Sequence, residues 1–93
     1  MISNNEYFNG NVKSLGFENS SGKATVGVMA PGEYEFNTGA PEQMTLISGK
    51  WAICLPDSDS FVDFAIGEVV RIPGNSRFKL QIPEPSAYHC AFE

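Results

Sequence analysis

The chain predicts an all-β fold, a single antiparallel double-sheet domain of the sandwich or small-barrel kind spanning residues 1–93. Three observations lead there. Gly (9) and Pro (6) are spread along the 93 residues at intervals that leave no room for a long helix. No window sustains a 3.6-residue apolar period. Short runs rich in β-branched and aromatic residues recur instead, separated by turn chemistry at the near-regular spacing of sandwiches and barrels. Parallel pairing needs crossover segments, and the chain has none to spare.

Taken in order, "VKSLGF" is the first strand-like run, closed by the polar turn "ENSSGK". "ATVGVMA" follows, and "PGE" opens "YEFNT". "QMTLIS" meets a tight "GK" and continues as "WAICL". The polar loop "PDSDS" leads to "FVDFA", "GE" opens "VVRI", "PGNSR" opens "FKLQI", and "PEPS" opens "AYHCAF". The total is about nine strands, a number that suits a jelly roll. Runs such as "ATVGVMA" and "KWAICLP" are apolar at both alternate phases, so both of their faces need a cover. In so short a chain the second cover is expected to be another copy of itself, giving a homodimer through one sheet.

Composition narrows the function. Eleven acidic against six basic residues give a net charge of −5, with no Lys/Arg cluster. That argues against a nucleic-acid partner, whose phosphates need a basic patch. The start, "MISNNEYFNG", has no basic region ahead of an apolar run, and "WAICL" is far too short to cross a bilayer. The expectation is a cytoplasmic protein with no membrane partner. Cys54 and Cys90 lie in apolar strand contexts and read as reduced thiols acting as small hydrophobes. "DSDSFVD" has acids in a calcium-loop rhythm, but Val62 stands where the loop needs glycine and strands flank it, so it reads as a solvated acidic loop.

Two segments have the spacing of the cupin superfamily of small jelly-roll barrels. "EQMTLISG" supplies Glu42, six residues and Gly49, while "GEVVRIPGNSRF" supplies Gly67, five residues, Pro73 and a turn up to Phe78. More closely, "SNNEYFNGNVKSLGF", "TVGVMAPGEYEF", "PEQMTLISG" and "PGNSRFKLQIPEPSAYHC" together resemble the pyrimidine/purine nucleoside phosphorylase family of single-domain bacterial cupins, over essentially the whole chain. The resemblance implies phosphorolysis: nucleoside plus phosphate gives free base plus (deoxy)ribose 1-phosphate. It implies purine and pyrimidine substrates alike, namely uridine, cytidine, thymidine, adenosine, guanosine, inosine and xanthosine.

A metal cupin places a His-x-His pair upstream of the glutamate and another histidine after the second turn. By that register the positions here are Phe36, Thr38 and Phe78, which cannot hold a transition metal. The expectation is an enzyme without a metal cofactor, with inorganic phosphate as co-substrate. Two other readings stand beside it: a non-catalytic small-ligand-binding cupin, and a metal-dependent cupin enzyme that the absent histidines oppose.

Phosphorolysis needs a phosphate holder, a carboxylate for the sugar and its developing positive charge, and rings or donors for the base. Arg71 and Arg77 are the only arginines; Arg71 is either a catalytic phosphate holder or a strand residue snorkelling on the outer or dimer face, and Arg77 either binds phosphate or is a solvated turn charge. The "PGNS" turn, with the Ser76 hydroxyl, offers a small anion nest. Lys13 is a further cation for phosphate or an ordinary surface lysine. Glu42 is either the carboxylate for the barrel or a salt-bridging or turn-capping residue; Glu33 and Glu35 share the opposite face from Tyr34 and Phe36. Tyr34, Phe36 and Phe78 supply rings or serve simply as core, and Thr38 is the remaining residue in the ligand register. Gln81, Tyr88 and His89 can meet the base, although His89, the sole histidine, equally fits an incidental strand end.

Overall fold

In a computed structural model, which describes residues 2–93, the chain forms ten strands and one short 3-10 turn. The strands are β1 (Ser3–Tyr7), β2 (Val12–Asn19), β3 (Gly22–Met29), β4 (Gly32–Asn37), β5 (Glu42–Ser48), β6 (Trp51–Cys54), β7 (Val62–Phe64), β8 (Val69–Ile72), β9 (Arg77–Ile82) and β10 (Ser86–Phe92). Nine of them coincide with the runs expected from the sequence. The addition is β1, whose residues "SNNEY" are too polar to read as a strand but pair along their whole length with β2.

Every pairing is antiparallel. A six-stranded sheet runs β1-β2-β3-β10-β5-β8 and faces a four-stranded sheet of order β4-β9-β6-β7. This is the cupin-like arrangement, but the two sheets stay separate and do not close into a hydrogen-bonded barrel. Alternation sorts the side chains: Val12, Met29, Leu46, Ile53, Ile72 and Leu80 point between the sheets and are almost wholly buried. The outer face of the small sheet carries Glu33, Glu35, Lys79 and Gln81, as a solvated face should.

The outer face of the large sheet differs. Leu15, Val26, His89, Thr45 and Val69 form one cross-strand row on it, and Val28 and Ile47 flank the row. Val28 and Val69 are 56% and 58% exposed in the single chain.

Two glycines have a clear physical reason. Gly49, which ends the first motif, has φ +95° and sits where a Cβ would strike Ser86 and the Pro85 carbonyl. Gly27 lies beneath the ring of Tyr88; a Cβ there would stand 2.6 Å from the ring edge and hydroxyl.

Candidate active site

Between the sheets, at the Phe36–Phe78 end of β4 and β9, is a cavity of about 300 Å³. Phe36 and Phe78 face each other across the strand pair, with ring centroids 5.9 Å apart and 24° between planes. These rings occupy positions where the register of a metal cupin calls for imidazoles. Tyr7 meets Phe36 edge-on at 5.7 Å, and Phe8 does the same at 5.3 Å from the chain's 3-10 turn.

The opposite wall comes from the large sheet. Glu42 of β5 is half-buried, and the Cys90 thiol on the neighbouring strand donates to its Oε1 at 3.2 Å. Burial holds the Glu42 carboxyl above the usual carboxylate range, and the Cys90 hydrogen bond pulls the other way. The Cys90 thiol is also pushed up, first by burial and then by the Glu42 charge, so it stays protonated and is no nucleophile. Tyr88 is pushed up to about 12, chiefly by burial, with the Ser14 hydrogen bond opposing the shift. It therefore remains a neutral phenol that can donate. Ser14 in turn accepts from Asn5 Nδ2 at 3.3 Å, so polar groups run along this wall from β1 to β10.

Several expected site residues thus meet in one place: Glu42, Phe36, Phe78 and Tyr88 all line the cavity. Others lie elsewhere. Tyr34 is buried in the core, with its hydroxyl donating to the Ala30 carbonyl at 2.7 Å and its ring against Phe8. Arg71 is on the outer face of β8, where it forms a two-pronged bond to the Glu93 carboxylate at 2.9 Å. That bond holds the Glu93 side chain below the usual carboxylate range. Gln81 is on the outer face of the small sheet and donates to Glu33 at 3.1 Å. Lys13 is exposed beside Glu6, and His89 is half-buried on the outer face between Val26 and Thr45.

Thr38, Ser76 and Arg77 form a separate open cleft with Asn37, Pro56, Asp57 and Asn75. Thr38 is a clasp: its hydroxyl donates to the Pro73 carbonyl at 2.7 Å and accepts from the Ser76 N–H at 3.0 Å. The "PGNS" turn does not offer the expected nest of free amides. Its Asn75 N–H is bonded to the Gly39 carbonyl and its Ser76 N–H to Thr38. Arg77 remains available, held only by an exposed Glu35 contact at 3.8 Å, a pairing of little strength. Asn37 borders both this cleft and the cavity.

Sequence reasoning missed Cys90, Ser14, Thr25, Asn37 and Met44 as cavity residues. For Cys90 a signal existed: in "SAYHCAF" a period of two puts it on the same face as Tyr88. Its nearness to Glu42, 48 positions away in the chain, had no such signal.

The donor set does not suit a resident metal. Among the described residues no group of three or more His, Cys, Asp or Glu comes together, and the cavity itself offers only Glu42 and Cys90.

Facing sheets, with a cavity between them whose walls carry aromatic rings at the ligand positions, define a cupin-like fold. A cupin-2 domain from Rhodospirillum rubrum superposes with a TM-score of 0.74 at 16% identity, covering 96% of this chain and 67% of that one, and shares the fold. A protein of unknown function from Vibrio parahaemolyticus superposes at 0.93 with 42% identity, covering 97% of this chain and 96% of that one. The family model for pyrimidine/purine nucleoside phosphorylase matches residues 2–92. A pyrimidine/purine nucleoside phosphorylase of Tolumonas auensis is 50% identical over 93 residues, with both chains covered completely. This chain belongs to the pyrimidine/purine nucleoside phosphorylase family.

Cys90 leads to a direct expectation. A hydroxyl is a stronger donor than a thiol, so Cys90→Ser should lower the pKa of Glu42 and Cys90→Ala should raise it. If the ionised carboxylate is the active form, the acidic limb of the kcat/KM profile moves to lower pH in Cys90→Ser and to higher pH in Cys90→Ala. Superimposable profiles for both variants would separate Cys90 from the function of Glu42.

Proposed function

We propose that this chain catalyses phosphorolysis of purine and pyrimidine nucleosides without a metal cofactor, in the cavity between its sheets. The observation that carries this reading is the family match across residues 2–92, joined to a cavity with one half-buried carboxylate among rings. The base enters against Phe36 and Phe78 and receives a hydrogen bond from the neutral Tyr88 hydroxyl. The sugar lies at the Glu42 and Asn37 end. Phosphate approaches from the outer cleft, where Arg77 exchanges its weak Glu35 contact for a charge-assisted one. Phosphate oxygen bonds to the sugar's anomeric carbon while the carbon–nitrogen bond breaks and its electron pair leaves with the base. Ionised Glu42 offsets the positive charge that grows on the sugar in between.

Uridine, cytidine, thymidine, adenosine, guanosine, inosine and xanthosine are the proposed substrates. Free base should appear from uridine and adenosine only when inorganic phosphate is present, and chelator treatment should leave the rate unchanged. Base release without phosphate, or lost to the chelator and restored by a divalent metal, would sink the mechanism. Binding without turnover would favour a small-ligand-binding role.

The working unit is proposed to be a homodimer in the cytoplasm, joined through the outer face of the large sheet. The exposed row through Leu15, Val26 and Val69 is what supports it, since a solvated sheet face normally alternates to polar residues. Among the described residues no helix is long and apolar enough to cross a membrane. Sedimentation should give twice the chain mass, reduced to the chain mass by Val28→Asp. A monomeric wild-type chain would refute the dimer.

A further inference from the structure

Tyr7 lines the Glu42 cavity, yet the reaction described above gives it no part. β1 is the edge strand of the large sheet and pairs only with β2. Its register sets Ser3, Asn5 and Tyr7 opposite the buried Gly16, Ser14 and Val12. Tyr7 therefore leaves the strand on the face that looks into the sandwich. There its ring reaches the small sheet and meets Phe36 edge-on at 5.7 Å. Tyr7 is nonetheless 44% exposed, whereas Phe78 and Tyr88, deeper in the cavity, are 3% and 6% exposed. The ring stands at the mouth, with one side on the wall and part of its surface open to solvent.

An unfavourable stretch of backbone follows it. Phe8, Asn9 and Gly10 all have positive φ, at 52°, 57° and 87°. A bulky aromatic residue in this region is an outlier that its neighbours must hold there. Here the holding contacts are rings: Phe8 lies 5.0 Å from Tyr34 and 5.3 Å from Phe36. The turn thus ties the end of β1 across to β4 and keeps Tyr7 over the cavity. Tyr88 is within electrostatic reach of Tyr7, since its phenol, raised chiefly by burial, is also raised to a lesser degree by Tyr7.

A base lying on Phe36 with its edge at the Tyr88 hydroxyl has Tyr7 along its remaining side, toward the mouth. We propose that Tyr7 is a specificity-determining residue, whose ring closes against the bound base and favours purines over pyrimidines in binding. The Phe36 and Phe78 faces accept either kind of base, because every base offers a flat face to a ring. A fused purine reaches further toward the mouth than a pyrimidine and covers more of the Tyr7 ring. The inference rests on the proposed placement of the base in this cavity, but equilibrium binding tests it without turnover.

The experiment is calorimetric titration of phosphate-free full-length protein with adenosine and with uridine. Tyr7→Ala should weaken adenosine binding about tenfold, the scale of one lost ring contact, and uridine binding about threefold or less. Tyr7→Leu keeps apolar bulk at the strand end and should show the same unequal loss. Tyr7→Phe, which keeps the ring, should bind both nucleosides much as the wild type does. Equal losses for the two nucleosides would mark a residue that only shapes the mouth, and unchanged affinities would place the base away from Tyr7. Either result overturns the proposal, as does a Tyr7→Phe variant no better than Tyr7→Leu. Initial rates separate this inference from the catalytic reading. Unequal binding losses in a chain that releases no base with phosphate would leave Tyr7 its role and sink the phosphorolysis. A wild type that binds neither nucleoside would overturn both.

Discussion

Glu42→Gln is expected to lower kcat/KM for nucleoside phosphorolysis by roughly 100-fold or more, on the scale of removing one electrostatic partner of a transition state. The amide keeps the shape and can still accept the Cys90 thiol, so the chain should fold as before. The pH dependence of stability adds a second readout. Burial raises the folded-state pKa of Glu42 above its ordinary 4.5, so in this window the folded state binds more protons than the unfolded one. This group's contribution is fully favourable below the ordinary value and is lost as pH rises through the raised one. Glu42→Gln removes that loss, and its melting temperature at neutral pH should equal or exceed that of the wild type. Denaturation scans at acid and neutral pH, beside initial rates, test both statements. Full activity in the variant would remove Glu42 from the mechanism.

Gly27→Ala should have the next-largest effect, because it acts on the fold and the cavity together. The added methyl would overlap the Tyr88 ring at 2.6 Å, forcing the ring off Gly27 and into the space where a base is to bind. Overpacking of this kind costs about 1–3 kcal/mol, and activity should fall more steeply than stability. Gly27→Ala combined with Tyr88→Ala should cost less stability than the sum of the two single losses, a non-additivity expected of residues in contact, without recovering activity. Urea titrations of the two single variants and the double variant measure this. Additive losses would show that the ring already has somewhere else to go.

How much the sequence disclosed depended on the distance over which each signal acts. The nine apolar runs were legible because alternation and turn chemistry are local. β1 was not, because "SNNEY" carries no apolar alternation and is held by its partner strand. Within the site, Phe36 and Phe78 were legible through motif spacing, and Glu42 likewise. Thr38 has the right spacing, yet its hydroxyl is bonded to the Pro73 carbonyl and the Ser76 N–H. Arg71 showed the limit of scarcity as an argument: one of two arginines in an apolar run, it is occupied by Glu93 at the far end of the chain. The Cys90–Glu42 pair depends on which strands are neighbours, and composition does not encode that order.

The cavity's charge has a consequence for which metabolites are turned away. Of the side chains around it, Glu42 alone can carry a charge, and no cation stands beside it. A neutral nucleoside brings nothing for that carboxylate to repel. In the proposed reaction inorganic phosphate is met by Arg77 from the outer cleft. A nucleotide would instead carry its own phosphate into the cavity on its sugar, near a negative group in poorly solvated surroundings where like charges repel far more strongly than in water. On the proposed reaction the same carboxylate that steadies the sugar would thus turn nucleotides away and admit their dephosphorylated relatives.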